Sequence, residues 1–441
     1  MYKNFILFIV FSSFLFSQDC NEAKILYESN QFEKALKSVN SESSECSYLG
    51  FQISVSLDDL NKAKEYISKA INQDESNQNY KDSAKNLEAT IRAITSANYS
   101  LENSSIDDAI LEYQTKIEDS SLLKNSLFHK GLGIAYKRKF YSLESTLDIN
   151  SENYFEYIDL SVQYFNEANS INPYANYEDE ILNISKKLTK DAKVKMKQEE
   201  YNFALKLLNK SVEYYSDYNM AHFTKGELYR KLQDYQLAIS SYLSGLGSNV
   251  KSGNYKILYL AGLCYERMGD FEKAKEFYGY SFSKKQSYTK AQFGLANILY
   301  NEQNYIESED NLFSIIDKDP TFIKAYELLV NIYSDTEDYS KAKQYVDIGI
   351  EMDSKAYSLY AKRARIYNKL ENYNAAISDA EQSLKIKKRY GPAYIELGTA
   401  NAFLCNKVAA EEAFIKSKKY NRRLASESLE WLKSHIKEAC N

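Results

Sequence analysis

Leu258-Tyr259-Leu260-Ala261-Gly262-Leu263-Cys264-Tyr265, followed by Met268-Gly269-Asp270-Phe271 and then Glu272-Lys273-Ala274-Lys275-Glu276-Phe277-Tyr278, is the stretch on which the fold turns. Its apolar residues recur at helical spacing on both sides of a Gly-Asp turn, which predicts two short helices joined by a tight connection. Small residues stand where the helices must approach closely, and aromatic ones fill the space between them. The plan returns along the chain. Ala204, Ala238, Ala274, Ser308, Ala342, Ala376 and Ala410 are separated by 34, 36, 34, 34, 34 and 34 residues. A period in this range signals stacked helical pairs, none of which can bury its apolar face alone.

The neighbouring copies keep the register. Gly226, Ala296, Ala364 and Gly398 take the small first-helix position, and Tyr229, Tyr265, Tyr333 and Tyr367 the aromatic position three residues on. Tyr201, Tyr235, Phe271, Tyr305, Tyr339 and Tyr373 follow the turn, and Asp319-Pro320 closes one repeat because proline halts a helix. This pattern resembles the tetratricopeptide repeat. With 40 Tyr against one Trp, the large positions are filled mainly by tyrosine. Weaker copies precede it, anchored by Ala35 with Phe32, Ala63 with Leu60, and Ala109 with Ile106. A fourth begins at Gly131-Leu132-Gly133-Ile134-Ala135-Tyr136 and ends at Phe165, Ala168 and Asn172-Pro173, with an insertion near 141–156 that either lengthens the helices or forms a surface loop. The expected architecture is all-α, with about 11 helical pairs. The resemblance implies that they form a right-handed α-α superhelical solenoid. Residues 1–17 read as a leader, 18–190 as divergent repeats, 191–423 as the regular array, and 424–441, with Trp431 and Leu432, as a C-terminal capping helix of the kind an open array end requires.

Composition agrees and narrows the function. The 441 residues include only 3 Pro, and 44% are hydrophobic, so the chain can bury a large core. A net charge of −5 argues against a strongly basic nucleic-acid binder. No phosphate-loop, H-E-x-x-H or G-x-S-x-G pattern occurs. The three histidines are scattered: His129 and His222 share one repeat position, suited to packing, and His435 lies near the end. No enzyme, metal or cofactor is expected, and repeats fill the chain from about residue 20 onward.

Phe5 to Phe16 is apolar apart from Ser12 and Ser13, too short for a membrane span of about 20 residues but suited to a secretory signal. Cleavage is expected after Ser17; a buried first helix and a lipid anchor at Cys20 are the alternatives. The mature chain is then exported (periplasmic, envelope-associated or secreted), with no membrane insertion of its own. In an oxidising compartment paired cysteines would staple the array ends. Cys20 opens the first helix and Cys46 the equivalent one a repeat later, while Cys405 should close the outgoing helix of the last repeat near Cys440. Disulfides Cys20–Cys46 and Cys405–Cys440 are expected, with Cys264 a free packed thiol; the alternative is five ordinary buried thiols.

In the resembling family the first helices line a concave face where ligands usually lie. Phe223, Tyr259 and Phe293 share one register and would form an aromatic ladder. Around them stand Arg230, Lys231, Lys256, Arg267, Lys290, Lys324, Arg365 and Lys369 against Glu227, Glu266, Glu327 and Asp335, a surplus of four cations. Asn297, Asn331 and Asn368 can bond an extended backbone. The groove therefore suits an acidic or aromatic segment of a protein partner, unless these charges form only a solvated face and the aromatics only pack. The Lys and Asn set with which some family members hold a chaperone's C-terminal carboxylate is missing from any three consecutive repeats. The expected function is a non-catalytic scaffold or assembly factor. The alternatives are a self-assembling surface protein and an envelope carbohydrate-binding factor. The oligomeric state is left open.

Overall fold

The computed structural model of the chain describes residues 20–144, 153–247, 253–420 and 430–431. Within them lie 22 α-helices and no strand, packed as eleven consecutive pairs. Two compact units divide the chain, Met1–Ala221 and His222–Asn441. The expected leader at 1–17 and Cys440 lie outside the described residues, as does all of the expected capping helix except Glu430 and Trp431.

The first unit runs α1 (Asn21–Glu28), α2 (Phe32–Lys37), α3 (Ser44–Ser56), α4 (Leu60–Gln73), α5 (Gln78–Asn103), α6 (Ile106–Glu118), α7 (Leu127–Leu143), α8 (Glu156–Ile171), α9 (Glu178–Lys197) and α10 (Tyr201–Tyr214). Then follow α11 (Asn219–Lys231), which begins just ahead of the second unit, α12 (Tyr235–Leu246), α13 (Tyr255–Met268), α14 (Phe271–Lys284), α15 (Thr289–Asn301), α16 (Tyr305–Lys318), α17 (Ile323–Asp335), α18 (Tyr339–Met352), α19 (Tyr357–Lys369), α20 (Tyr373–Ile386), α21 (Gly391–Phe403) and α22 (Lys407–Tyr420).

One turn geometry joins the helices of the last six pairs, from α11–α12 to α21–α22. Gln233, Gly269, Gln303, Glu337, Glu371 and Cys405 all have positive φ, between 58° and 81°. That conformation ends a helix by letting the next two N–H groups bond back: Asp234 N–H to the Tyr229 carbonyl at 2.9 Å, and Gln233 N–H to that of Arg230 at 3.1 Å. The following Asp or Asn then caps the next helix. Asp234, Asp270, Asp338 and Asn372 each accept the backbone N–H three residues on. Cys405 therefore sits in the turn between α21 and α22 instead of closing an outgoing helix, because it occupies the left-handed turn position.

The core follows a rule of matched sizes. Tyr242 of α12 lies on Gly226 of α11, where an added Cβ would stand 2.4 Å from the ring. Gly398 is covered in the same way by Phe414, and Gly50 by Tyr66. Where the first-helix residue is larger, its partner sixteen positions on is aliphatic: Ala296 shares one cluster with Leu312, as Val330 does with Val346, and Ala364 shares another with Ala380. Close packing leaves room for one large side chain per crossing.

In the first unit a polar knot joins distant turns. Asp58, in the turn between α3 and α4, accepts the Ser126 N–H at 3.0 Å, the Ser126 hydroxyl, and the Asn172 amide at 2.6 Å. Ser126 also bonds Tyr177 at 2.8 Å, and Tyr174 donates to the Asn30 carbonyl at 2.9 Å. Ser126 and Asn172 are buried, so these partners satisfy groups that water cannot reach. The insertion lengthens α7, and its far end enters the core: Tyr154 is buried, its ring 5.7 Å from both Phe140 and Phe203. Residues 145–152 lie outside the described residues.

Candidate functional site

All nine candidate groove residues fall in the second unit, on its first helices. The aromatic ladder is engaged in packing. Phe223 lies 6.1 Å from Tyr242; Tyr259 meets Tyr278 at 5.7 Å and Tyr288 edge-on at 5.4 Å; Phe293 meets Phe322 at 5.4 Å. Tyr288 and Phe322 are equivalent residues just ahead of α15 and α17, so each of these two ladder rings bridges to the next pair. All three rings are half-buried. Their helical spacing was legible in the sequence; that a ring from the following pair covers two of them was not.

The acidic positions of this surface are occupied from within. Glu227 accepts two bonds from Arg230 at 3.1 Å and one from the Tyr242 hydroxyl at 2.5 Å. Glu266 accepts Tyr278 at 2.5 Å, Glu327 accepts Ser358, and Asp335 accepts Tyr300 at 2.5 Å. Burial, with these carboxylates beside them, pushes the Tyr242 and Tyr278 hydroxyls well above the usual tyrosine range. Arg230 is thus clamped. Asn331 accepts the Lys362 ammonium at 2.5 Å, and Asn297 is half-buried. Burial lowers the proton affinity of Lys362, against the pull of Glu327 and Asp335. By contrast Arg267, Lys290, Lys324, Arg365 and Lys369 are exposed, and no salt bridge engages them among the described residues.

A cleft of about 560 Å³ opens at the far end of this surface. Arg365, Asn368 and Lys369 of α19 form one wall, Glu396 and Thr399 of α21 another. Asn368 Nδ2 donates at 3.0 Å to both the carbonyl and the carboxylate of Glu396, while Asn368 Oδ1 is buried with no hydrogen-bond partner among the described residues. Burial pushes the Glu396 carboxyl upward, against the Asn368 bond and the nearby charges of Arg365 and Lys369. Three rings finish the rim. Tyr373 stacks on Phe403 at 4.8 Å with an interplanar angle of 10°, and Phe403 meets Trp431 at 5.3 Å. The groove register pointed to Arg365 and Asn368 but missed Glu396, Thr399 and the aromatic rim. Phe403 stands where α13 and α19 carry Arg267 and Lys369, a departure that could have drawn attention to this end.

Cys20 and Cys46 form a disulfide with Cα atoms 5.7 Å apart; Cys405 is disulfide-bonded, and Cys264 is free and buried. Burial pushes the Cys264 thiol up to about 11, so it packs as a thiol. Among the described residues no cluster of His, Cys, Asp and Glu could hold a metal ion, and no helix is long and apolar enough to cross a membrane.

Comparison with known proteins finds tetratricopeptide repeats over parts of the chain. Two tetratricopeptide-repeat family models match, one at residues 255–279, 323–355 and 357–390 and the other at 190–250. Human tetratricopeptide repeat protein 12 is 34% identical over 79 residues, 18% of this chain and 11% of that protein, so the chain spans about a tenth of this relative's length. Among solved structures, a tetratricopeptide repeat protein from Parabacteroides merdae shares 18% identity at a TM-score of 0.47, covering 57% of this chain and 99% of its own. YrrB, described as a TPR protein with an unusual peptide-binding site, shares 20% at 0.35, covering 45% and 96%. Yeast Tom70 shares 14% at 0.41, covering 94% of each. With the paired helices and the family matches together, the chain carries tetratricopeptide repeats.

Proposed function

We propose that the second unit is a non-catalytic protein-binding scaffold whose first-helix surface captures an acidic segment of a partner. One observation carries this reading. The carboxylates of that surface already accept internal hydroxyls or Arg230, whereas Arg267, Lys290 and Lys324 extend into solvent. Such cations attract an acidic chain and set its register more than they add affinity. A peptide-binding role is in keeping with the repeat type, although fold alone does not assign a partner.

The test is binding of a fluorescent acidic peptide, measured by anisotropy at rising salt. Charge reversal by Arg267→Glu with Lys290→Glu should weaken capture at least tenfold and flatten the salt dependence. Unchanged binding would sink the idea.

The same reading places the mature chain outside the cytoplasm, at a cell envelope or secreted. The apolar run Phe5–Phe16 and the Cys20–Cys46 disulfide support it. Mass mapping of the protein from its native source, without reductant, should find that pair joined and residues 1–17 absent. Five free thiols, or an intact leader, would contradict it.

A further inference from the structure

Two helix faces of opposite sign carry charges that the fold leaves unused. On α9, Lys186, Lys190, Lys193 and Lys197 recur at intervals of four, three and four residues. They therefore form one row, on the side away from the buried Ile184, Leu188 and Ala192. All four are exposed, and no carboxylate pairs with them among the described residues. The lysines beside the row are engaged: Lys187 pairs with Glu144 and Asp191, and Lys195 with Glu200. On α16, Glu307, Asp310 and Asp317 are exposed and equally unpaired among the described residues, whereas Glu309 accepts the Tyr333 hydroxyl. The cation of that helix, Lys318, is turned onto Ser314 at 3.0 Å and over the ring of Phe282. Acidic side chains elsewhere are used internally: on α6, Asp107 holds Lys139 and Glu112 holds Ser96 and Ser100.

The two faces match in spacing as well as in sign. Asp310 and Asp317 are seven residues apart, as are Lys186 and Lys193, and Lys190 and Lys197. Seven residues make two turns, about 10.5 Å along a helix that rises about 1.5 Å per residue. Two aspartates can therefore meet two lysines at once, whichever way the helices run. An apolar side chain flanks each row, with Val194 47% exposed on α9 and Ile306 76% exposed on α16, so contact would also bury both. A second copy of the chain supplies the complement of each face in the same register. We propose that the protein associates with copies of itself, α9 of one copy lying along α16 of the next. The two faces differ and lie in different units. The contact is therefore heterologous and leaves one face of each kind free to extend or close the assembly. Exposed ion pairs are individually weak and screened by salt, so the association is reversible and salt-sensitive.

This association does not depend on the acidic-segment surface. Sedimentation velocity of the full-length protein is followed over a concentration series at about 20 mM salt and again at about 0.5 M, where charge is screened. The sedimentation coefficient should rise with concentration in low salt and stay constant in high salt. Reversing the α9 row by Lys186→Glu, Lys190→Glu, Lys193→Glu and Lys197→Glu should weaken association about tenfold or more. Reversing α16 by Glu307→Lys, Asp310→Lys and Asp317→Lys should do the same. Glutamine at the four α9 positions, which adds no negative charge to the helix, should act in the same direction, and circular dichroism checks the fold of each variant. Mixing the two reversed proteins sets reversed face against reversed face and should restore association. Arg267→Glu with Lys290→Glu should leave it unchanged. The proposal is overturned if no concentration dependence appears in low salt, or if the reversed and glutamine variants associate as the parent does. It is also overturned if the mixture stays dissociated, or if the Arg267 and Lys290 variant loses association. A chain that remains monomeric while pelleting with phosphatidylglycerol vesicles would overturn it as well.

Discussion

Tyr242 packs against Gly226 so closely that a single methyl group on that glycine would stand 2.4 Å from ring carbon Cε1. The contact has equivalents at the other glycine crossings, and it explains why a chain so rich in tyrosine carries glycine at the matching first-helix sites.

Gly226→Ala should therefore destabilise the second unit by about 1–3 kcal/mol, the usual effect of overpacking. Adding Tyr242→Leu should recover much of the loss, since Ala–Leu is the combination at Ala296 and Leu312. Urea unfolding followed by circular dichroism measures all three variants. Strict additivity of the two changes would refute the matched-size rule. This part of the core is legible in the sequence, which carries both the sixteen-residue offset and the alternation of sizes.

The turn between paired helices gives a second expectation. Glu337 holds φ at 59°, a conformation that costs a side-chain-bearing residue about 1 kcal/mol and glycine very little. Glu337→Gly should raise the unfolding midpoint, whereas Gly269→Gln should lower it. Asp338→Ala, one residue on, removes the cap from Lys341 N–H and should cost about 1 kcal/mol. Equal midpoints for both glycine changes would count against the argument.

Asp58 is a stability determinant that no local pattern reveals. Asp58→Ala would leave the Ser126 N–H, the Ser126 hydroxyl and the Asn172 amide without their acceptor. A loss of about 3 kcal/mol is expected, from buried donors stripped of a charged partner. Hydrogen exchange should show faster opening at 125–127 and 172–177, and protection there equal to that of the parent would argue against the knot. The partners lie 68 and 114 residues from Asp58. Sequence spacing carries no trace of them, because the join depends on where successive pairs bring their turns.

Acid should loosen the end of the array. Burial works to raise Asp347, but hydrogen bonds from Lys343 and Arg363 outweigh it and hold its carboxyl below the ordinary range. A depressed folded value means that the stabilisation is present above the unfolded value, about 3.9. It is lost as pH falls from there through the folded value. Arg363 also grips Asp379 through two bonds of 2.6 and 2.8 Å, and Asp379 is buried. Arg363→Ala should cost about 3–5 kcal/mol by leaving that carboxylate unpaired. Arg363→Lys should not restore it, for lack of a planar fork. Stability of the alanine variant below pH 4 should fall less steeply than that of the parent; parallel curves would refute the assignment.

By itself the sequence determined the helical pairs, their number, their register and the sizes that meet at each crossing. These are local or fixed-period properties, since a helix pair offers an apolar face of known spacing that must be covered by the next pair. It also singled out the surface that carries Arg267, Lys290 and Arg365. The tertiary structure decided which of those side chains stay available. Glu227 and Arg230 sit one helical turn apart, but only folding brings Tyr242 onto the same carboxylate. Asn368 and Glu396, 28 residues apart, become hydrogen-bonded partners because α19 and α21 pack side by side, and Trp431 meets Phe403 at the rim of the same cleft. A hydrogen-bond partner is chosen by distance in space within about 3 Å, and no repeat period specifies that distance.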